Sequence, residues 1–304
     1  MSVAAPAAPW PLRFQIGART LAAVPRRLVR VPLSLDDALA GHLPALPPLA
    51  PGDHGYLLTS LPADRLTALT RHGLIAAVRQ RYDRYWIDLT GGEAAWLAGL
   101  SANTRSGMKR KRRKLAAEPG FAITRQRTAG EIVAFHPHAR AVSALTYQEA
   151  LLGSGLPADP APLLALAAAD RVRAWLLWVG GAPVAYLACT APQASGAATL
   201  RYDHVGHDPA CAALSPGSVL QAQALADLFA ERTFARFDFT EGEGQHKRGL
   251  ATGHVACVDL LLLRPTPGNR ATLAALGAFD GGVAVAKRLA THPVLARLGK
   301  RVRR

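Results

Sequence analysis

Two apolar runs, Arg171–Val179 and Pro183–Thr190, are separated by little more than Gly180-Gly181. Two glycines between strand-like segments predict a tight hairpin, because both central positions of such a turn require positive φ. This commits the second half of the chain to an antiparallel pair around which other elements must pack. A third strand is expected over Ala198–Val205, then a loop over Asp208–Pro216. Gly217–Arg232 follows as an amphipathic helix with Leu220, Ala224, Leu225 and Leu228 on one face. A strand over Arg236–Phe239, a polar glycine-rich loop over Glu241–Gly253 and a strand over Val255–Leu263 complete the series. Residues 272–304 read as mostly helical with a break at Pro293.

The first half carries weaker signals. Its first ten residues are rich in alanine and proline and are expected to fray, and Phe14–Val31 shows no clear periodicity. Four prolines make Leu43–Pro51 an extended connector. Gly55–Ser60 reads as a strand. A helix is expected from Pro62, and Leu74–Arg79 with Tyr82–Leu89 as paired strands. Glu93–Leu100 reads as a helix, and Ser101-Ala102-Asn103-Thr104 can cap the next one, which runs through Met108 and Leu115. Phe121–Arg127 reads as a strand. Glu131–Leu152 reads as a helix interrupted near Pro137. Gly153–Pro162 reads as a loop, and it marks the expected domain boundary.

The 304 residues suffice for two domains, and half are hydrophobic, which excludes wholesale disorder. With 36 Lys and Arg against 21 Asp and Glu, the formal net charge is +15, a field that attracts anions. Six consecutive basic residues, Lys109–Lys114, and the terminal Lys300–Arg304 concentrate that charge. Cys189, Cys211 and Cys257 show neither CxxC spacing nor an even count, so no zinc site and no disulfide framework is expected, and a reducing, cytoplasmic setting follows. No signal-peptide pattern and no membrane-length apolar run is present.

Four features carry chemistry. Ser215-Pro216-Gly217-Ser218 leads directly into a helix, whose N-terminus attracts anions, and Gly217 permits close approach of a pyrophosphate; an ordinary helix capped by Ser215 is the alternative. Asp238 and the loop Glu241–Lys247 offer His246 for proton transfer, unless Asp238 and Lys247 pair to organise the loop. Arg201-Tyr202-Asp203-His204 lies on a strand whose alternate residues face opposite sides, so Asp203 and His204 point to different sides, and a structural role for each is the alternative. The basic run suits an anionic substrate or a lipid surface, or forms a solvated helix face; no helix-turn-helix or stacking pattern accompanies it. Val294, Leu295 and Leu298 alternate with Arg297, Lys300 and Arg301 as in a membrane-surface helix, or in a plain capping helix.

In their order and spacing, Trp175–Tyr186 (WLLWVGGAPVAY), Arg201–His204 (RYDH), Leu214–Leu220 (LSPGSVL) and Phe237–Lys247 (FDFTEGEGQHK) resemble the GNAT superfamily of acyltransferases. The similarity is to its cellulose-biosynthesis-protein-like branch, which is related to the Fem-type peptidyltransferases. Arg105–Leu115 and Leu145–Gln148 (LTYQ) extend it over roughly residues 85 to 265. His246 stands where relatives carry Tyr, and the phosphate loop has one glycine where relatives have more.

The resemblance implies an α/β (α+β) fold, a mixed β-sheet flanked by helices, with two GNAT-like halves side by side. Residues 1–152 would be a degenerate half containing a basic helix at 104–117, 153–270 the acyl-donor domain and 271–304 a basic helical tail. It implies acyl transfer from acyl-CoA, without a metal, to an amine or hydroxyl of a small-molecule, lipid or glycan acceptor such as an envelope precursor. Donor contacts fall to Ser215, Gly217, Ser218 and Val219, and acceptor contacts to Arg105, Tyr147 and Gln148. Asp203, His204, Asp238, Glu241, His246 and Lys247 are the catalytic candidates. Peripheral contact with the inner membrane face is expected through the basic tail. Acyl carrier protein or aminoacyl-tRNA, the latter as in a Fem-type transferase, are alternative donors. A non-catalytic anion- or nucleic-acid-binding protein is the competing reading, although nucleic acid is not an expected partner.

Overall fold

The structure, a computed structural model, describes residues 5–17, 19–146, 149, 155–191, 199–242 and 244–291. The chain divides into two compact units. One comprises residues 34–40 and 82–257; the other comprises residues 2–33, 41–81 and 258–304. This division is discontinuous in sequence, unlike the continuous segments 1–152, 153–270 and 271–304 expected from the sequence. Strands β4 (Ile75–Asp88) and β10 (Gly253–Leu263) supply residues to both units.

In the first unit the sheet order is β4, β9 (Arg236–Asp238), β8 (Thr199–His207), β7 (Ala182–Thr190), β6 (Val172–Val179) and β5 (Ala122–Gln126). All neighbours are antiparallel except β8 and β9, which run parallel. Alternation along the hairpin strands builds two cores. Trp175, Leu177, Ala185, Leu187 and Cys189 face one side. Packed there are α2 (Glu93–Gly99), α3 (Ala102–Ala116) and α6 (Pro216–Glu231), through Trp96, Leu115, Leu220, Leu225 and Leu228. Ala174, Leu176, Tyr186 and Ala188 face the other side, against Phe135, Ala139 and Leu163 of α4 (Ala129–Ala144) and α5 (Ala161–Ala168). A short α1 (Leu35–Leu39) also belongs to this unit.

In the second unit β1 (Ala5–Ile16) pairs antiparallel with β2 (Arg19–Pro32), which runs parallel to β3 (Gly55–Pro62). Gly55 has φ 152°, and a Cβ there would meet the Leu262 carbonyl oxygen at 1.9 Å. Only glycine lets β3 start against that backbone.

Several elements differ from the sequence reading. The expected frayed terminus is strand from Ala5, because its prolines lie on the sheet's edge strand, where a missing N–H is tolerated. Only a 3₁₀ turn, Ala63–Arg65, forms where a helix was expected, and Pro62 brings no side-chain cap. The expected pair Leu74–Arg79 and Tyr82–Leu89 is one long strand, β4 (Ile75–Asp88), since Gln80-Arg81 supplies no turn residue. Helix α4 runs through Pro137 to Ala144; Val133, four residues earlier, is exposed, so water can satisfy its carbonyl. The glycine-rich loop contains α7 (Gln245–Leu250), which carries His246 and Lys247. Helix α8 spans Pro267–Thr291; the expected break at Pro293 and the basic tail beyond it lie outside the described residues.

Candidate functional site

The parallel ladder between β8 and β9 has three registered pairs, ending at Arg201 and Asp238. Strand β8 continues to His207, but β9 stops, and the next residue, Phe239, bonds instead to the Tyr85 carbonyl at 3.1 Å. The sheet therefore opens between the two strands. An opening of this kind exposes backbone donors and acceptors along one side of β8.

On the α6 side of the opening, β8 leads through a 3₁₀ segment, Pro209–Leu214, into α6. Ser215 adopts a left-handed φ of 56° and makes no side-chain cap bond, so the expected capping role is not filled. An N-cap normally has extended backbone with its oxygen turned to the helix amides. Pro216 contributes no N–H, and the Ser218 and Val219 amides bond the Ser215 carbonyl at 3.1 and 3.2 Å. The Val219 side chain is buried in the core. Helix α3 packs on this turn: Lys111 donates to the Ser218 hydroxyl at 3.3 Å and Lys114 to the Ala213 carbonyl at 3.0 Å. A Cβ on Gly217 would lie 3.6 Å from His207 Nδ1, so that ring borders the turn as well. The basic run is thus only partly a solvated face; two of its lysines border a helix N-terminus.

The opposite face of β4, β9 and β8 is polar where the α4–α5 core ends. Register places Trp86, Asp238 and Arg201 in one row and Asp88, Arg236 and Thr199 in the next. Asp238 is fully buried and takes two hydrogen bonds from Arg84, at 3.1 and 2.6 Å, and one from the Thr240 amide at 2.8 Å. Asp238 therefore anchors the sheet's opening, and Arg84, which the sequence reading missed, is its partner in place of Lys247. Both are buried, so each is costly without the other. Thr240, a β-branched residue, is held at φ 60° directly beyond, a strained conformation of the kind that clusters at functional sites. From α1, Asp36 accepts from Thr199 at 2.8 Å and Arg236 at 3.0 Å. Three buried atoms here, Asp36 Oδ2, Trp86 Nε1 and Arg201 Nε, have no partner among the described residues. Polar atoms left unmet in this way are rare in native cores.

A β-bulge decides how Asp203 and His204 lie. Ala188 is opposite His204, and Cys189 is opposite Tyr202, so Asp203 is the extra residue. Strict alternation would face only one of the two into a cleft. With the bulge, Tyr202 packs on Phe237 and Phe239 in the first core, while His204 shares its register with Ala188 of the second. The Asp203 carboxylate accepts from Thr190 and pairs with Arg201 at 3.1 Å. Burial, set against Asp203 and reinforced by Arg201, lowers the His204 pKa below its ordinary 6.5. The imidazole is then neutral at pH 7 and able to accept a proton.

The remaining expected site residues disperse. Lys247 donates to the Glu241 and Gly242 carbonyls at 2.9 and 3.1 Å, and burial lowers its pKa. His246 is exposed on α7; partial desolvation and then Lys247 lower its pKa. Glu241 is exposed. Arg105 bonds the Leu97, Ala98 and Leu100 carbonyls, closing the end of α2. Tyr147 and Gln148 lie outside the described residues.

A sheet that opens beside a helix N-terminus, with a polar face behind it, is an arrangement suited to group transfer. Residues 102–248 match the family model for the acetyltransferase (GNAT) domain. The fold is shared with the C-terminal (DUF2156) domain of a putative lysylphosphatidylglycerol synthetase from Agrobacterium fabrum. That likeness has a TM-score of 0.52 and 12% identity, over 76% of this chain and 72% of that one. FemX is similar at 0.48 and 9%, over 85% and 89%. A GCN5-related N-acetyltransferase from Kribbella flavida is similar at 0.40 and 17%, over 70% and 69%. No curated protein shows significant sequence similarity. Among the described residues no helix is long and apolar enough to cross a membrane.

Proposed function

We propose that the protein transfers an acyl group from acyl-CoA to an amine or hydroxyl of an acceptor lying over the polar face of β4, β9 and β8. The observation that carries this reading is the ladder's end at Arg201 and Asp238, with the α6 N-terminus and two lysines on one side and Asp203 and His204 on the other. Donor phosphates would meet the Gly217 amide, the helix dipole, Lys111 and Lys114. The thioester arm would lie along the open side of β8, whose backbone N–H groups would stabilise the oxyanion. The acceptor's nucleophile attacks the thioester carbonyl, His204 takes its proton, and the CoA sulfur leaves as the tetrahedral intermediate collapses, receiving that proton from the imidazolium to become the free thiol. Asp203, fixed by Thr190 and Arg201, orients and supports the imidazolium. A reducing, cytoplasmic setting belongs to this reading, favoured by an odd number of cysteines without CxxC spacing.

Calorimetric titration with acetyl-CoA and with a long-chain acyl-CoA tests the donor. Replacing Lys111 and Lys114 together by alanine should weaken binding by tenfold or more, since each charge-assisted contact contributes about 1.5–3 kcal/mol. Absence of heat with both donors would exclude acyl-CoA.

A further inference from the structure

A cavity of about 510 Å³ is lined by residues of α2, α3 and α6. Its size falls in the range of about 300–1,000 Å³ that holds small ligands. Leu97, Met108, Val219, Ala222 and Ala226 form an apolar lining. Ala222 and Ala226, one helical turn apart, leave the space that a larger side chain would fill. Over this lining stand Arg105, Lys109 and Arg112, at a spacing that puts them on one stripe of α3 with Met108. One carboxylate, Glu93, opposes the three cations. Arg112 is held by Gln223, and Arg105 by the end of α2. Lys109 is exposed and makes no hydrogen bond or ion pair among the described residues.

We infer that this cavity binds an anionic single-chain amphiphile, its alkyl chain on the apolar lining and its phosphate or carboxylate against Lys109 and Arg112. A solvated basic helix would have no use for an apolar floor. A nucleotide base would want an aromatic ring to stack on, and none lines the cavity. Long basic side chains with apolar stems suit the boundary between chain and headgroup. The site is separable from the acyl-CoA reading, because it shares with the start of α6 only the Val219 side chain and involves neither Lys111, Lys114 nor His204.

The test is titration of the full chain with lysophosphatidylglycerol and lysophosphatidylcholine of equal chain length, below their micelle concentrations. The anionic lipid should bind at least tenfold more tightly. Within a chain-length series affinity should rise about threefold to fourfold per added CH₂ until the cavity is full. Ala222→Trp should weaken binding of the anionic lipid tenfold or more, and Ala226→Met serves the same purpose if the tryptophan variant does not fold. Lys109→Glu should abolish the preference between headgroups. Equal affinity for the two lipids, or binding unchanged by both filling variants, overturns the proposal. So does displacement of the lipid by CoA, which would make the cavity part of the donor site. Failure of acyl-CoA to bind while the lipid binds would remove only the donor reading.

Discussion

At the scale of single residues, the polar face is built from charges that depend on one another. Arg84 and Asp238 are buried as a bidentate pair. Asp238→Asn leaves a buried guanidinium facing an amide, and should destabilise the protein by about 3–5 kcal/mol. A lower midpoint in urea, at unchanged m-value, is the expected readout. His204 has a different signature. Its pKa lies below 6.5, so the neutral base is already the main form at pH 7. Activity should therefore be flat above neutrality and fall only as pH drops through the lowered pKa. His204→Gln should reduce kcat by about 10²–10⁴-fold and erase that acid limb. If the limb persists in the variant, the proton goes elsewhere, with exposed His246 the next group to replace. Asp203, His204, Asp238 and Lys247 were all legible as polar residues at suggestive spacing. Arg84 was not, because its importance comes from a partner 154 positions away.

At the scale of elements, β8 has the most constraints on it. It carries a core residue, a bulge and a glycine within five positions. A Cβ on Gly206 would come within 2.5 Å of the Tyr186 ring and 2.8 Å of Thr146. Gly206→Ala should therefore cost about 1–3 kcal/mol through overpacking. Because β8 holds the bulge, the same change should also lower activity in protein that remains folded, which a comparison of thermal midpoint with specific activity would show. The hairpin β6–β7 and helix α6 were readable from glycine punctuation and helical periodicity. The bulge was not, since its extra residue is visible only against a partner strand. The long strand β4 and the proline-rich β1 were misjudged for a related reason. Local propensity argues against prolines in a strand, but an edge position removes the penalty.

At the scale of the whole molecule, an ion network fixes the far end of α6. Arg173, fully buried, bonds Glu231 and Asp170. Burial opposes ionisation of Glu231, but hydrogen bonds from Arg173 and Thr233 hold its pKa below the ordinary 4.5. A depressed carboxylate pKa stabilises the fold above its unfolded value and loses that contribution as pH falls through the folded one. Stability should thus hold above pH 4.5 and decline below it. Glu231→Gln should remove part of that decline while lowering stability at pH 7, as denaturant titrations at several pH values can check. The sequence by itself determined the succession of strands and helices from residue 163 to 263 except for α7, the clustering of positive charge and the GNAT-like order of motifs, because turn residues, periodicity and composition act locally. The tertiary structure alone decided the discontinuous division of the chain and the partner of Asp238. It also decided that Asp203 bulges from β8 beside His204, held by Thr190 and Arg201, and that Lys111 and Lys114 border the start of α6. Each of these depends on which distant segments lie side by side, and burial, ion pairing and register take their energies from that proximity.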